Sequence, residues 1–150
     1  MDYSPLLAPV VALIAWTLVV MVWMAATRFA AFKKMGITLD TIPPGSRGAN
    51  LDGNAPDQAQ WKSHNYNHLM EQPTIFYAIV ITLALMGMDQ PINVWLAWGY
   101  VAFRVLHSLV QCTTNILRYR FPLFLLASIC LVGLTVHAAA RLIHDCLAHM

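Results

Sequence analysis

The chain has 150 residues, of which 59% are hydrophobic and only 11% charged, with a formal net charge of +2. A soluble domain is about 25% charged, so this composition excludes an ordinary water-soluble domain and leaves one unit, 1–150, whose solvent is lipid. No basic run is interleaved with aromatics, which excludes a nucleic-acid partner.

A helix needs about 20 apolar residues to cross the hydrocarbon of a bilayer. The first such run covers residues 6–27 and carries no charge. It has no positive n-region and is too long for the h-region of a secretory signal, so it is expected to be a retained span. The segment 28–65 follows. Its core, "MGITLDTIPPGSRGANLDGNAPDQAQ", is rich in Pro, Gly, Asn and Asp and reads as an irregular loop.

The second span covers 66–88, with Glu71 near its start, and the third covers 92–117, with Arg104 and His107 inside it. The fourth covers 121–142 and opens with Pro122, which suits a first helical turn. The last two connections are short, so successive helices run antiparallel. The expected fold is all-α, an integral membrane four-helix up-down bundle.

Basic residues set the direction. Arg28, Lys33, Lys34, Arg47 and Lys62 fall in the first loop and Arg118 and Arg120 in the last, whereas the other side has only Arg141. The positive-inside rule places both basic loops in the cytoplasm and both termini outside. Trp95 and Trp98 at the outer start of span three fit an interfacial aromatic belt.

The polar residues are not scattered. At about 100° per residue, Tyr100, Arg104, His107, Ser108, Gln111, Thr114, Asn115 and Arg118 form one stripe along span three. His64, Asn67, His68 and Glu71 share a face at the start of span two. Arginine facing lipid costs about 2.5–3.5 kcal/mol on insertion scales, so Arg104 is expected to face the bundle and to pair with Glu71. Polar glue between helices explains one or two such residues; a stripe and a facing wall point to a ligand cavity. His68 and Glu71 have the three-residue spacing of bundle metal ligands, but the pair is not repeated and an arginine lies alongside, so no metal is expected. Cys112, Cys130 and Cys146 have no C-x-x-C spacing and read as three unpaired thiols.

"HLMEQPTIFYA" at 68–78, "AFRVLHSLVQ" at 102–111 and "LRYRFPLF" at 117–124, set over four spans, resemble the MAPEG family, the membrane-associated proteins in eicosanoid and glutathione metabolism, in a bacterial-type branch. The resemblance implies a homotrimer in a bacterial inner membrane. It implies glutathione as co-substrate and a transferase or peroxidase acting on lipophilic electrophiles from the bilayer. The alternative of the same fold is a non-catalytic lipid-binding or scaffold protein.

Residue by residue, the resemblance implies Arg120 as the catalytic arginine near the thiol. Arg28, His68, Glu71, Arg104, His107 and Gln111 would bind glutathione. Two positions depart from the family pattern: His68 stands where the family usually has Asn, and Gln111 where it commonly has Tyr.

Overall fold

The computed structural model of the protein describes residues 3–45 and 56–148. Arg47 lies outside them. Four helices account for most of the described chain: α1 (Leu7–Met35), α2 (Asp57–Leu85), α3 (Pro91–Thr113) and α4 (Leu117–Ala148). Among the described residues no strand occurs. The molecule is an all-α four-helix bundle, as expected.

The helices outrun the apolar stretches. α1 continues past residue 27 to Met35, with Lys33 and Lys34 in its last turn, where cations complement the negative end of the helix dipole. It stops at Gly36, whose φ of 67° is readily reached only without a Cβ. The Gly36 and Ile37 amides then cap Lys33 O and Phe32 O. α2 begins at Asp57 rather than near 66, directly after Pro56. The irregular part of the first connection is therefore shorter than 28–65. Lys62, expected in that loop, is a buried helical residue with its ammonium 5.3 Å from the centre of the Trp23 ring on α1. α4 begins at Leu117, so Pro122 lies inside it rather than at its first turn.

α1 packs chiefly on α2 and α3 chiefly on α4, while α2–α3 packing, helped by α1–α3 and α2–α4 contacts, joins the two hairpins. Glycines allow α3 and α4 to approach closely. A Cβ built on Gly133 would lie 3.2 Å from Leu96 Cδ1, and one on Gly99 would lie 3.3 Å from Cys130 Sγ. Small residues serve this purpose in membrane bundles, where lipid is as apolar as the core and close packing supplies the attraction. Gly133→Leu is expected to destabilise the bundle by about 1–3 kcal/mol through overpacking, seen as a lower melting temperature of the detergent-solubilised protein.

The interior is divided along its length. Leu6 just before α1, Val10 and Leu13 of α1, Phe76, Val80 and Leu83 of α2, Ala97 and Val101 of α3, and Ala127, Leu131, Leu134 and Ala138 of α4 form an apolar core. It fills the half nearer the α2–α3 turn. The other half is polar: Lys62, Ser63, Asn65, Arg104, His107, Ser108 and Gln111 are all buried. Tyr100 marks the junction. Its ring stacks on Phe76 at 4.2 Å and 10°, and its hydroxyl lies 3.4 Å from Gln72 Oε1.

The outside of the bundle is apolar. Val11, Ile14, Leu18 and Val22 of α1 and Ile129, Val132 and Val136 of α4 are exposed. α1, α2 and α4 are each long and apolar enough to cross a membrane. α3 owes its lower hydropathy to the polar stripe, which it turns inward. Trp95 and Trp98 are exposed near the start of α3.

Polar contacts tie the ends of the helices at the apolar end. Ser4 Oγ donates to Asp89 Oδ1 at 2.5 Å. Asn93 Nδ2 donates to Met88 O and Gln90 Oε1, which leaves its Oδ1 facing His137 Nδ1 at 2.6 Å. An oxygen there requires the proton on Nδ1, so this contact fixes the His137 tautomer.

Candidate functional site

The site begins with a defect in α2. Pro73 sits inside the helix and has no N–H, so Leu69 O lacks its helical donor. Membrane helices carry such breaks where neighbouring groups compensate. Arg104 of α3 reaches α2 beside the break, where its Nη2 donates to His68 O at 2.8 Å. The expected Glu71–Arg104 pairing is thus an electrostatic attraction and not a hydrogen bond. Arg104 turns to a backbone carbonyl, and Glu71 is exposed at the cleft described next.

Arg104 is only 1% exposed, and its Nε and Nη1 have no hydrogen-bond partner. Its guanidinium carbon lies 5.8 Å from the centre of the Phe124 ring, a cation–π distance. In front of it opens a cleft of about 350 Å³ at the polar end of the bundle. α2 contributes His64, His68 and Glu71, α3 contributes His107 and Gln111, and α4 contributes Leu117, Arg120, Phe121 and Phe124. One side is charged and hydrogen-bonding; the lip from α4 is apolar.

Aromatic contacts fix the inner wall. His68 lies almost parallel to Phe124, at 5.6 Å and 18°, and is tilted against His107 at 5.1 Å. Gln111 is buried beside His68. Behind the wall, Asn65 Nδ2 donates to Ser108 Oγ at 2.6 Å and ties α2 to α3. Gln72 Nε2 donates to Ser128 Oγ at 2.9 Å and ties α2 to α4. Interhelical bonds of this kind average about 0.6 kcal/mol in membranes, so they set geometry more than stability.

The structure thus brings His68, Glu71, His107, Gln111 and Arg120 to one cleft, with Arg104 behind them. It does not bring Arg28 there. Arg28 Nη2 donates to Ser63 Oγ at 2.6 Å, and α1 contributes nothing to the lining. Of the polar stripe on α3, Tyr100, Arg104, His107, Ser108 and Gln111 are buried, whereas Thr114 and Arg118 are exposed. The sequence reading missed the apolar lip of Leu117, Phe121 and Phe124. The signal was there: Leu117, Phe121 and Phe124 at i, i+4 and i+7 share one helical face with Arg120. Among the described residues no group of three or more His, Cys, Asp or Glu is placed to hold a metal ion.

An all-α bundle with lipid-facing apolar helices and a buried arginine behind a charged cleft defines an integral membrane protein with an interior polar site. Residues 6–140 match the family model described as MAPEG family, and the chain belongs to that family. No curated protein and no solved structure gives a significant match.

Proposed function

We propose that the protein is a glutathione-dependent transferase or peroxidase acting on lipophilic electrophiles, and that it works as a homotrimer. Membership of the MAPEG family supports both parts of this reading. We further propose a bacterial inner-membrane location, with the polar end of the bundle on the cytoplasmic side and both termini outside. Lys33, Lys34, Arg118 and Arg120 at that end support this orientation under the positive-inside rule.

The observation that carries the reading is the composition of the cleft. Glutathione has two carboxylates, an ammonium and a thiol. A wall with Glu71, Arg120, His107 and Gln111 offers a carboxylate for the ammonium, a cation for an anionic group, and one amide and one imidazole for the peptide. The Gln111 amide, buried at this wall beside His68, suits a peptide N–H. The apolar lip of Leu117, Phe121 and Phe124 suits a lipophilic second substrate.

Arg120 is the residue assigned to the thiol. A cation beside a thiol lowers its pKa from about 8.5 and raises the reactive thiolate fraction. Arg104 acts from behind, holding His68 and Phe124. In a trimer, Arg28 of α1 would serve a neighbouring subunit's cleft and not its own, since within this chain it donates to Ser63. The same apolar lip also suits the alternative, a non-catalytic lipid binder.

Three measurements on the detergent-solubilised protein test the reading. Glutathione is expected to raise the melting temperature, and a generic aryl halide electrophile is expected to be conjugated. Glu71→Gln should weaken glutathione binding about 10- to 100-fold, the range for one hydrogen bond to a charged group. If glutathione neither stabilises the protein nor is consumed, the enzyme reading fails. Stabilisation by lipid alone would then favour the alternative.

A further inference from the structure

We propose that Asn115 is a positioning residue that holds Arg120 at the cleft before any ligand arrives. Asn115 lies in the α3–α4 turn, one residue past the α3 cap Thr114. Among the described residues it is the one non-glycine with positive φ, at 52°. Its N–H donates to Val110 O at 2.8 Å and closes the end of α3. Glycine meets that backbone requirement at lower cost, and it is the residue most often found there. A side chain at this position therefore calls for a reason beyond the cap.

The reason is on the far side of the turn. Arg120 Nη1 donates to Asn115 Oδ1 at 2.5 Å. Both residues are half-buried. The neutral amide orients the guanidinium without cancelling its charge, whereas a carboxylate at this position would neutralise the field that a thiol needs. Asn115 thus has two functions: its backbone ends α3, and its side chain aims the first functional residue of α4. An arginine held this way does not have to be ordered when substrate binds, which is where preorganised groups gain over mobile ones.

The effect on catalysis rests on the glutathione reading; the Asn115–Arg120 contact does not. The experiment separates the two. The full chain in detergent is treated with phenylglyoxal, which modifies arginines, and modification of Arg120 and Arg118 is followed by peptide mass spectrometry. Arg118, two residues away and exposed, is the internal reference. Asn115→Gly keeps the turn, so the melting temperature should hold. Arg120 should be modified about 10- to 100-fold faster, the ratio for loss of one charge-assisted hydrogen bond, with Arg118 unchanged. Asn115→Asp should restore the protection.

In the conjugation assay, Asn115→Gly should lower kcat, leave the KM for the electrophile in place and move the pH inflection upward. Asn115→Asp should regain order at Arg120 but not the low inflection. Unchanged Arg120 modification in Asn115→Gly overturns the proposal. Faster modification with an unchanged pH profile overturns its catalytic half. If the wild-type protein consumes no glutathione, the proposed function fails and the modification rates alone decide whether Asn115 positions Arg120.

Discussion

Arg104→Met is expected to give a protein that melts higher and works worse. Arg104 is 1% exposed, and its guanidinium makes one hydrogen bond, to His68 O, and leaves Nε and Nη1 without partners. Each unsatisfied buried donor costs about 1–3 kcal/mol, and charged ones cost more. The bond to His68 O returns a similar amount once. Methionine fills comparable length with no donors, and replacing buried charge by apolar volume often stabilises by about 1–4 kcal/mol.

Activity should move in the opposite direction. Arg104 fixes the His68 backbone beside the Pro73 break and lies against Phe124, and both residues form the cleft wall. Misplacing a wall by about 1 Å costs on the order of 10²-fold in rate. Thermal unfolding and conjugation kinetics on the same preparation check both halves. A large drop in melting temperature would make Arg104 a structural strut, and its unsatisfied donors would then need another explanation.

Much of the fold could be read from apolar run length, because that length is set by the bilayer. Run length does not report where a helix stops. The Asp57–Tyr66 part of α2 is polar and still helical, since a helix can leave the membrane and continue in water or against a neighbour. The stripe on α3 was legible for a different reason: a charge that lipid rejects must face inward, and Tyr100, Arg104, His107, Ser108 and Gln111 do.

Partner choice was not legible. Opposite charges made Glu71 the economical partner for Arg104, but the His68 carbonyl, one residue before the one that Pro73 leaves without a helical donor, takes its hydrogen bond. Arg28 was grouped with the site by family resemblance, yet within this chain it bonds to Ser63. The Asn115–Arg120 contact depends on a left-handed residue between two helices, which neither helical periodicity nor hydropathy encodes.

Arg120→Ala is the second large effect, and its sign with pH follows from the thiol. Below its pKa a thiol is protonated and unreactive, so the rate per bound glutathione rises as pH climbs through that pKa. With Arg120 beside it, the inflection should fall below the free value of about 8.5. Removing the cation should move the inflection back toward 8.5. At neutral pH this lowers the rate, and loss of transition-state stabilisation lowers it further. Removal of one preorganised donor typically costs about 10²–10³-fold in kcat.

Arg120→Lys separates charge from direction. Lysine keeps the cation but cannot reproduce the planar, multi-donor geometry by which Asn115 Oδ1 holds Arg120 Nη1. It should therefore recover part of the downward pH shift and little of kcat. Because Arg120 lies on the exposed α4 side of the cleft rather than in the core, neither variant should lower the melting temperature by more than the small amount expected of a surface change. A flat pH profile shared by wild type, Arg120→Ala and Arg120→Lys would remove Arg120 from the chemistry. The cleft would then remain as a binding site formed by Glu71, His107, Gln111 and the apolar lip.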